Sequence, residues 1–261
     1  MEKHHRESID KFLKIYEGDP SILAMLLGGS IAHGFAKADS DIDILFIVDS
    51  EEYQKQKTLN KLAFSLRDIC IYENGYIDCK VLDLDFLKKV SERGSDPARY
   101  AFKDCTILFS RVEELPDLLE KICTFPKEKM NERRKRFASQ ILAWKWYYSE
   151  GIKKKNKYLL FLSLQKLVLF ACRIVLNENQ LLYPYHKWML EEVKGAERKP
   201  DNFLININVL FENHTEEKVN IFCMKVLDYI GFNEQTVNWT DYFLKDCEQN
   251  WINNEPPVDD L

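Results

Sequence analysis

The spacing of apolar positions changes partway along the chain. Residues 2–16 repeat at helical intervals and predict a helix over Glu2–Tyr16. Ala24–Leu27 is a short apolar run that ends at Gly28-Gly29-Ser30, the pattern of a buried strand entering a tight turn. Ile42–Val48 (IDILFIV) is β-branched and aromatic and reads as a second strand. It stops at Asp49-Ser50, where Ser50 is placed to cap a helix over Glu51–Cys70. After a turn at Glu73–Gly75, YIDCKVLD alternates: Ile77, Cys79 and Val81 point one way, and Tyr76, Asp78, Lys80 and Leu82 the other. A helix over Asp85–Arg93, a loop at GSDPARY and a last strand over Thr106–Phe109 follow. From Glu113 onward only helical periods remain, over Lys127–Gly151, Lys157–Asn177, Lys187–Lys194, His214–Ile230 and Asn233–Trp251. The expectation is an α+β chain: a mixed sheet with flanking helices over residues 1–115, then a helical bundle over residues 116–261.

Length agrees with that division. A chain of 261 residues exceeds one typical domain of about 100–150, and 46% hydrophobic content supplies two cores. The longest apolar stretch, around Tyr158–Leu176, is broken by Gln165, Lys166 and Arg173, so no membrane span is expected. Seven scattered cysteines without a CxxC pair argue against a disulfide framework or a zinc site and point to a reducing cytoplasm. The formal net charge of -5 argues against a chain that coats nucleic acid. The basic runs Glu132–Arg136 and Lys153–Lys157 then read as solvated helix faces and ends. The aromatic group Trp144–Tyr148 and the apolar helix through Phe161–Phe170 read first as bundle core, the alternative being that an aromatic here also walls the acceptor pocket, and His33, inside the glycine turn, reads first as a surface residue, the alternative being a contact with substrate.

The chemistry concentrates between residues 28 and 78. Gly28 and Gly29 let the backbone turn sharply and approach a ligand, while Ser30 offers a hydroxyl at the start of a short helix, where a phosphate could sit. Asp41 and Asp43 fall on one face of the second strand, and like charges there repel unless a cation neutralises them. A polar turn accounts for Asp39-Ser40-Asp41 but not for Asp43, which interrupts an apolar strand. Asp78 is a further acid inside an apolar alternation, and a strand beside Ile42–Val48 would bring it to the same place. Mg²⁺ suits such carboxylates combined with substrate phosphates, and three of them suit two-metal phosphoryl chemistry.

LGGSIAHGFAKADSDIDILFIV followed by YIDCKV resembles the DNA polymerase β-type nucleotidyltransferase superfamily, whose pattern is Gly-Gly-Ser or Gly-Ser, a further glycine, Asp-x-Asp on the next strand and a third aspartate on a later one. The signature covers residues 24–83, with Gly34 as the further glycine. The two-domain layout is similar to the bacterial nucleotidyltransferases that act on aminoglycosides or lincosamides. The resemblance implies that Gly28, Gly29 and Ser30 bind nucleotide phosphates and that Asp41, Asp43 and Asp78 hold two Mg²⁺ ions, Asp78 alternatively serving as general base. It implies a nucleoside triphosphate, ATP first, and a small hydroxylated acceptor such as an antibiotic, with pyrophosphate released. The alternatives are a toxin-antitoxin type nucleotidyltransferase that modifies or binds a protein, and a template-free RNA nucleotidyltransferase; nucleic acid is the less expected partner. Lys187, in TyrProTyrHisLysTrp, is expected in a helix's first turn, where the macrodipole disfavours a cation and an anion would explain it. By resemblance to helical domains of the superfamily, Lys187 would contact the triphosphate.

Overall fold

The computed structural model describes residues 1–253, 255 and 258–260, and it divides into two compact units, Met1–Thr124 and Phe125–Leu261. The first unit runs α1 (Lys3–Tyr16), β1 (Ile22–Leu27), α2 (Gly29–Ala32), β2 (Ile42–Val48), α3 (Ser50–Thr58), β3 (Ala63–Leu66), β4 (Ile77–Asp83), α4 (Leu84–Arg93), α5 (Asp96–Tyr100), β5 (Thr106–Ser110) and α6 (Leu115–Cys123). Its sheet has the order β3-β4-β2-β1-β5. β2 and β4 are parallel and the other neighbours antiparallel, so the sheet is mixed as expected.

Period-two alternation sorts the strands onto two cores. Ile42, Ile44 and Phe46 of β2 join Ile77, Cys79 and Val81 of β4 against Ile9 and Phe12 of α1. Leu45 and Ile47, on the opposite face, meet Leu87 and Val90 of α4 and Leu115, Leu119 and Ile122 of α6. Burying each such side chain contributes on the order of 1.5–3 kcal/mol, which fixes the register: a slip by one residue would exchange the two faces.

Local details depart from the expectation. The helix expected over Glu51–Cys70 ends at Thr58, and Ala63–Leu66 is instead a strand that pairs antiparallel with β4. Leu62, Phe64 and Leu66 pack on the apolar face of the sheet, so tertiary burial overrides local helical spacing. Asp49, not Ser50, caps α3, its carboxylate accepting from the Glu52 amide at 2.9 Å. GSDPARY is not a loop: Ser95 caps α5, which has Pro97 in its first turn, where a missing amide costs nothing.

The second unit is helical, with α7 (Met130–Lys153), α8 (Lys157–Glu178), α9 (Met189–Gly195), α10 (Phe203–Glu212), α11 (Glu216–Tyr229) and α12 (Trp239–Phe243). Leu164, Leu167, Val168 and Ala171 of α8 meet Ile141 and Leu142 of α7 and Val219, Phe222 and Val226 of α11 in one core. By length and composition α8 could cross a membrane; half of that stretch is buried inside this helical unit. The long helix expected over Asn233–Trp251 is only α12 followed by a π-helical turn, Leu244–Glu248.

Candidate active site

The end of β1 and the start of β2 build the site's floor. The antiparallel ladder pairs Leu27 with Ile44, and one rung further the Gly28 amide donates to the Asp43 carbonyl at 2.9 Å. Gly29 follows at φ +62°, a conformation that favours glycine. A Cβ there would lie 1.6 Å from Oδ2 of Asp43, so the turn's backbone lies directly against that carboxylate. Ser30 comes next, 6% exposed, and its Oγ finds no hydrogen-bond partner among the described residues.

The parallel pairing of β2 with β4 then aligns the acids. Asp43 is in register with Asp78, and Ile42 with Ile77. Asp41 lies just before β2, two residues from Asp43 and on the same side of the chain, so the three predicted acids share one end of one sheet face. All three are partly exposed, while Ile42 and Ile44 between and beyond them are fully buried. Tyr76 donates its hydroxyl to Oδ2 of Asp41 at 3.0 Å, and Ser65 on β3 donates to Oδ1 of Asp78 at 3.1 Å. The hydrogen bond to Asp41 pushes the Tyr76 phenol above its ordinary range, with the charges of Asp78 and Asp43 adding to the effect. The Arg67 guanidinium lies 5.3 Å from the Tyr76 ring centre. Behind the glycine turn, burial pushes the Cys105 thiol up to about 12, the charges of Cys123, Asp104 and Asp43 adding to the shift, so it is a poor nucleophile.

Tyr76 and Ser65 hold two of the candidate site's acids, and neither stands out as a site residue in the sequence. Alternation did place Tyr76 on the face of Asp78, which was a usable signal; Ser65 lay inside a misread helix and had none. His33 is a correction of another kind. Its side chain is 5% exposed, its Nδ1 lies 3.3 Å from Oδ2 of Asp104, and its ring packs 4.7 Å from Tyr100.

Lys187 lies in the second unit and outside a helix: α9 begins at Met189, with Trp188 at the N-cap position. The side chain is exposed, with its ammonium 5.0 Å from the Trp188 ring centre. The macrodipole argument for a nearby anion therefore lapses.

Among the described residues no three His, Cys, Asp or Glu side chains form a ready metal cage. The arrangement is an open acidic edge beside a glycine turn, able to take a cation only together with ligands from elsewhere.

Residues 7–95 match the family model described as Polymerase beta, Nucleotidyltransferase, a span that holds the glycine turn and all three aspartates. This part of the chain belongs to the polymerase β-type nucleotidyltransferase superfamily. Among solved structures, a nucleotidyltransferase-like protein from Exiguobacterium sibiricum is similar over 94% of this chain and 80% of its own, at 12% identity and a TM-score of 0.49. No curated protein gives a match.

Proposed function

We propose that the chain is a Mg²⁺-dependent nucleotidyltransferase that moves a nucleoside monophosphate from a triphosphate, ATP first, to a hydroxyl of a small molecule such as an antibiotic, with pyrophosphate leaving. One observation carries the reading: the Gly29 backbone lies against the Asp43 carboxylate, and Asp43 is in parallel register with Asp78. Ser30, the residue after Gly29, carries a buried hydroxyl that has no hydrogen-bond partner among the described residues. An anion and a hard cation together satisfy this hydroxyl and the carboxylates.

The donors fit Mg²⁺, which takes oxygen ligands and is commonly held by one or two carboxylates plus substrate phosphates. Asp41 and Asp43 would hold it, and bound there it would neutralise charge developing on the phosphate oxygens. Ser30 donates its hydroxyl to a triphosphate oxygen. Tyr76 fixes the Asp41 carboxylate by donating to Oδ2, which leaves the other oxygen for a ligand. Ser65 does the same for Asp78 through Oδ1. Asp78 then accepts the proton of the attacking hydroxyl or completes the cation's ligand set. A reducing, cytoplasmic setting goes with this reading, as the seven scattered cysteines without a CxxC pair suggest.

The test is incubation with Mg²⁺, each labelled nucleoside triphosphate and a pool of hydroxylated antibiotics and metabolites, read by mass. A small molecule gaining one nucleoside monophosphate is the expected result. Label on added RNA or on a protein would replace the acceptor class, and label on nothing would overturn the reading.

A further inference from the structure

We propose that the second unit carries a binding site for a small organic cation, a tertiary or quaternary ammonium with apolar substituents. The site stands on this unit alone and does not depend on nucleotidyl transfer. Between α7 and the segment from Asn238 to Glu248 lies a cavity of about 660 Å³, the size of a drug-like ligand. Trp146, Tyr147, Trp239 and Phe243 line it, with Asp241 and Glu248.

The walls are not the ordinary core that the helical spacing of Trp144–Tyr148 suggests. Tyr148 is buried at 2% exposure, yet Trp146, two residues earlier, is 54% exposed. Tyr147 stands between rings: Trp146 meets it nearly edge-on at 4.9 Å and 72°, and Phe243 lies at 6.0 Å. Several aromatic rings facing one space attract a cation through their quadrupoles, and quaternary ammonium groups are recognised in such cages.

Aromatic walls alone would also accept a neutral hydrophobe; the charges decide between them. Asp241 and Glu248 line the cavity, and among the described residues its lining holds no lysine or arginine. Lys245 sits at the margin, its ammonium 2.6 Å from Oδ2 of Asp241, so this carboxylate already draws a cation. That lysine is 63% exposed, and an ion pair so exposed contributes little, leaving Asp241 open to exchange for a ligand. The neighbouring Asp246 is held elsewhere by Arg136 at 2.7 Å. The backbone adds an independent sign. Leu244–Glu248 is a π-helical turn, a rare conformation found often at functional sites, and it carries Leu244 and Glu248 to the cavity wall.

The experiment titrates the full chain with choline and with its neutral isostere 3,3-dimethylbutan-1-ol, followed by tryptophan fluorescence and calorimetry. Choline is expected to bind saturably, with the neutral isostere about tenfold weaker or more. Trp146→Ala and Glu248→Gln should each weaken choline severalfold, whereas Lys245→Ala, by freeing Asp241, should tighten it. Circular dichroism checks the fold of each variant; Glu248 and Lys245 are exposed, so these two keep the test decisive if Trp146→Ala is misfolded. Absence of saturable choline binding overturns the proposal, as does equal binding of the isostere or indifference of choline binding to both charge variants.

Discussion

The acids at the sheet edge of the first unit and the charged pair that joins α7 to α8 in the second handle polar groups in opposite ways. In the first, Asp41, Asp43 and Asp78 share one edge of a sheet face, and a buried Ser30 hydroxyl beside them has no partner among the described residues. Like carboxylates repel, and an unsatisfied buried hydroxyl costs about 1–3 kcal/mol. In the second, charges join helices. Arg134 of α7 grips both carboxylate oxygens of Glu178 on α8, at 2.8 and 2.6 Å, and the Asn177 amide donates to the Met130 carbonyl at 3.1 Å. That unit also leaves Ser163 Oγ and Asn177 Oδ1 unpartnered among the described residues, but these lie about four turns apart on one helix. The lesson is that an unsatisfied polar atom becomes informative when others of matching chemistry gather around it. A polar pair that satisfies itself marks assembly of the fold.

Asp43→Asn should break the contrast most. It keeps the side chain's volume against Gly29 while removing a charge, so we expect transfer activity to fall roughly 10³-fold or more with the melting temperature unchanged or slightly raised. Parallel assays of activity and thermal unfolding check it; a large loss of stability with activity retained in the folded fraction would make Asp43 structural. Gly29→Ala puts a methyl group into that carboxylate at a left-handed φ, and about 2–4 kcal/mol of stability should be lost, measurable by urea unfolding. Ser30→Ala sharpens the comparison, because its two effects should have opposite signs. Nucleotide binding weakens by about 1.5–3 kcal/mol, while the nucleotide-free protein is as stable as the parent or more so. Calorimetric titration and melting curves separate these. In the second unit Arg134→Ala should cost about 1–3 kcal/mol of stability by stranding Glu178, with nucleotide affinity unchanged.

The smallest expected effect concerns pH. Burial, with the charge of His4, pulls the His5 imidazole below its usual 6.5, and neither ring nitrogen finds a hydrogen-bond partner among the described residues. The unfolded chain therefore takes up the proton first as pH falls, so the stabilising contribution is present above 6.5 and is lost below it. His5→Phe, beside Tyr72, should flatten the acid side of a plot of melting temperature against pH.

How much of this was legible in the chain follows from the range of the forces involved. β1, β2 and β4 were readable because alternation and β-branching act within a few residues, and Gly29 because a left-handed turn restricts residue type at the spot. The gathering of Asp41, Asp43 and Asp78 was anticipated from the same alternation, since parallel neighbours in register carry equivalent positions to one face. Strand β3 was not readable: nothing local to Ala63–Leu66 favours extension over helix, and only the free edge of β4 recruits it. The partners Ser65 for Asp78 and Tyr76 for Asp41 depend on that assembly. The aromatic cavity is further still from the sequence, because Tyr147 and Phe243 are brought together only by packing. The amino-acid order alone therefore determined the strand faces and the turn that the acids flank. What the tertiary structure decided was which distant side chains satisfy, surround or leave open those groups, because such contacts are paid for by burial over the whole unit and leave no periodic trace in any short segment.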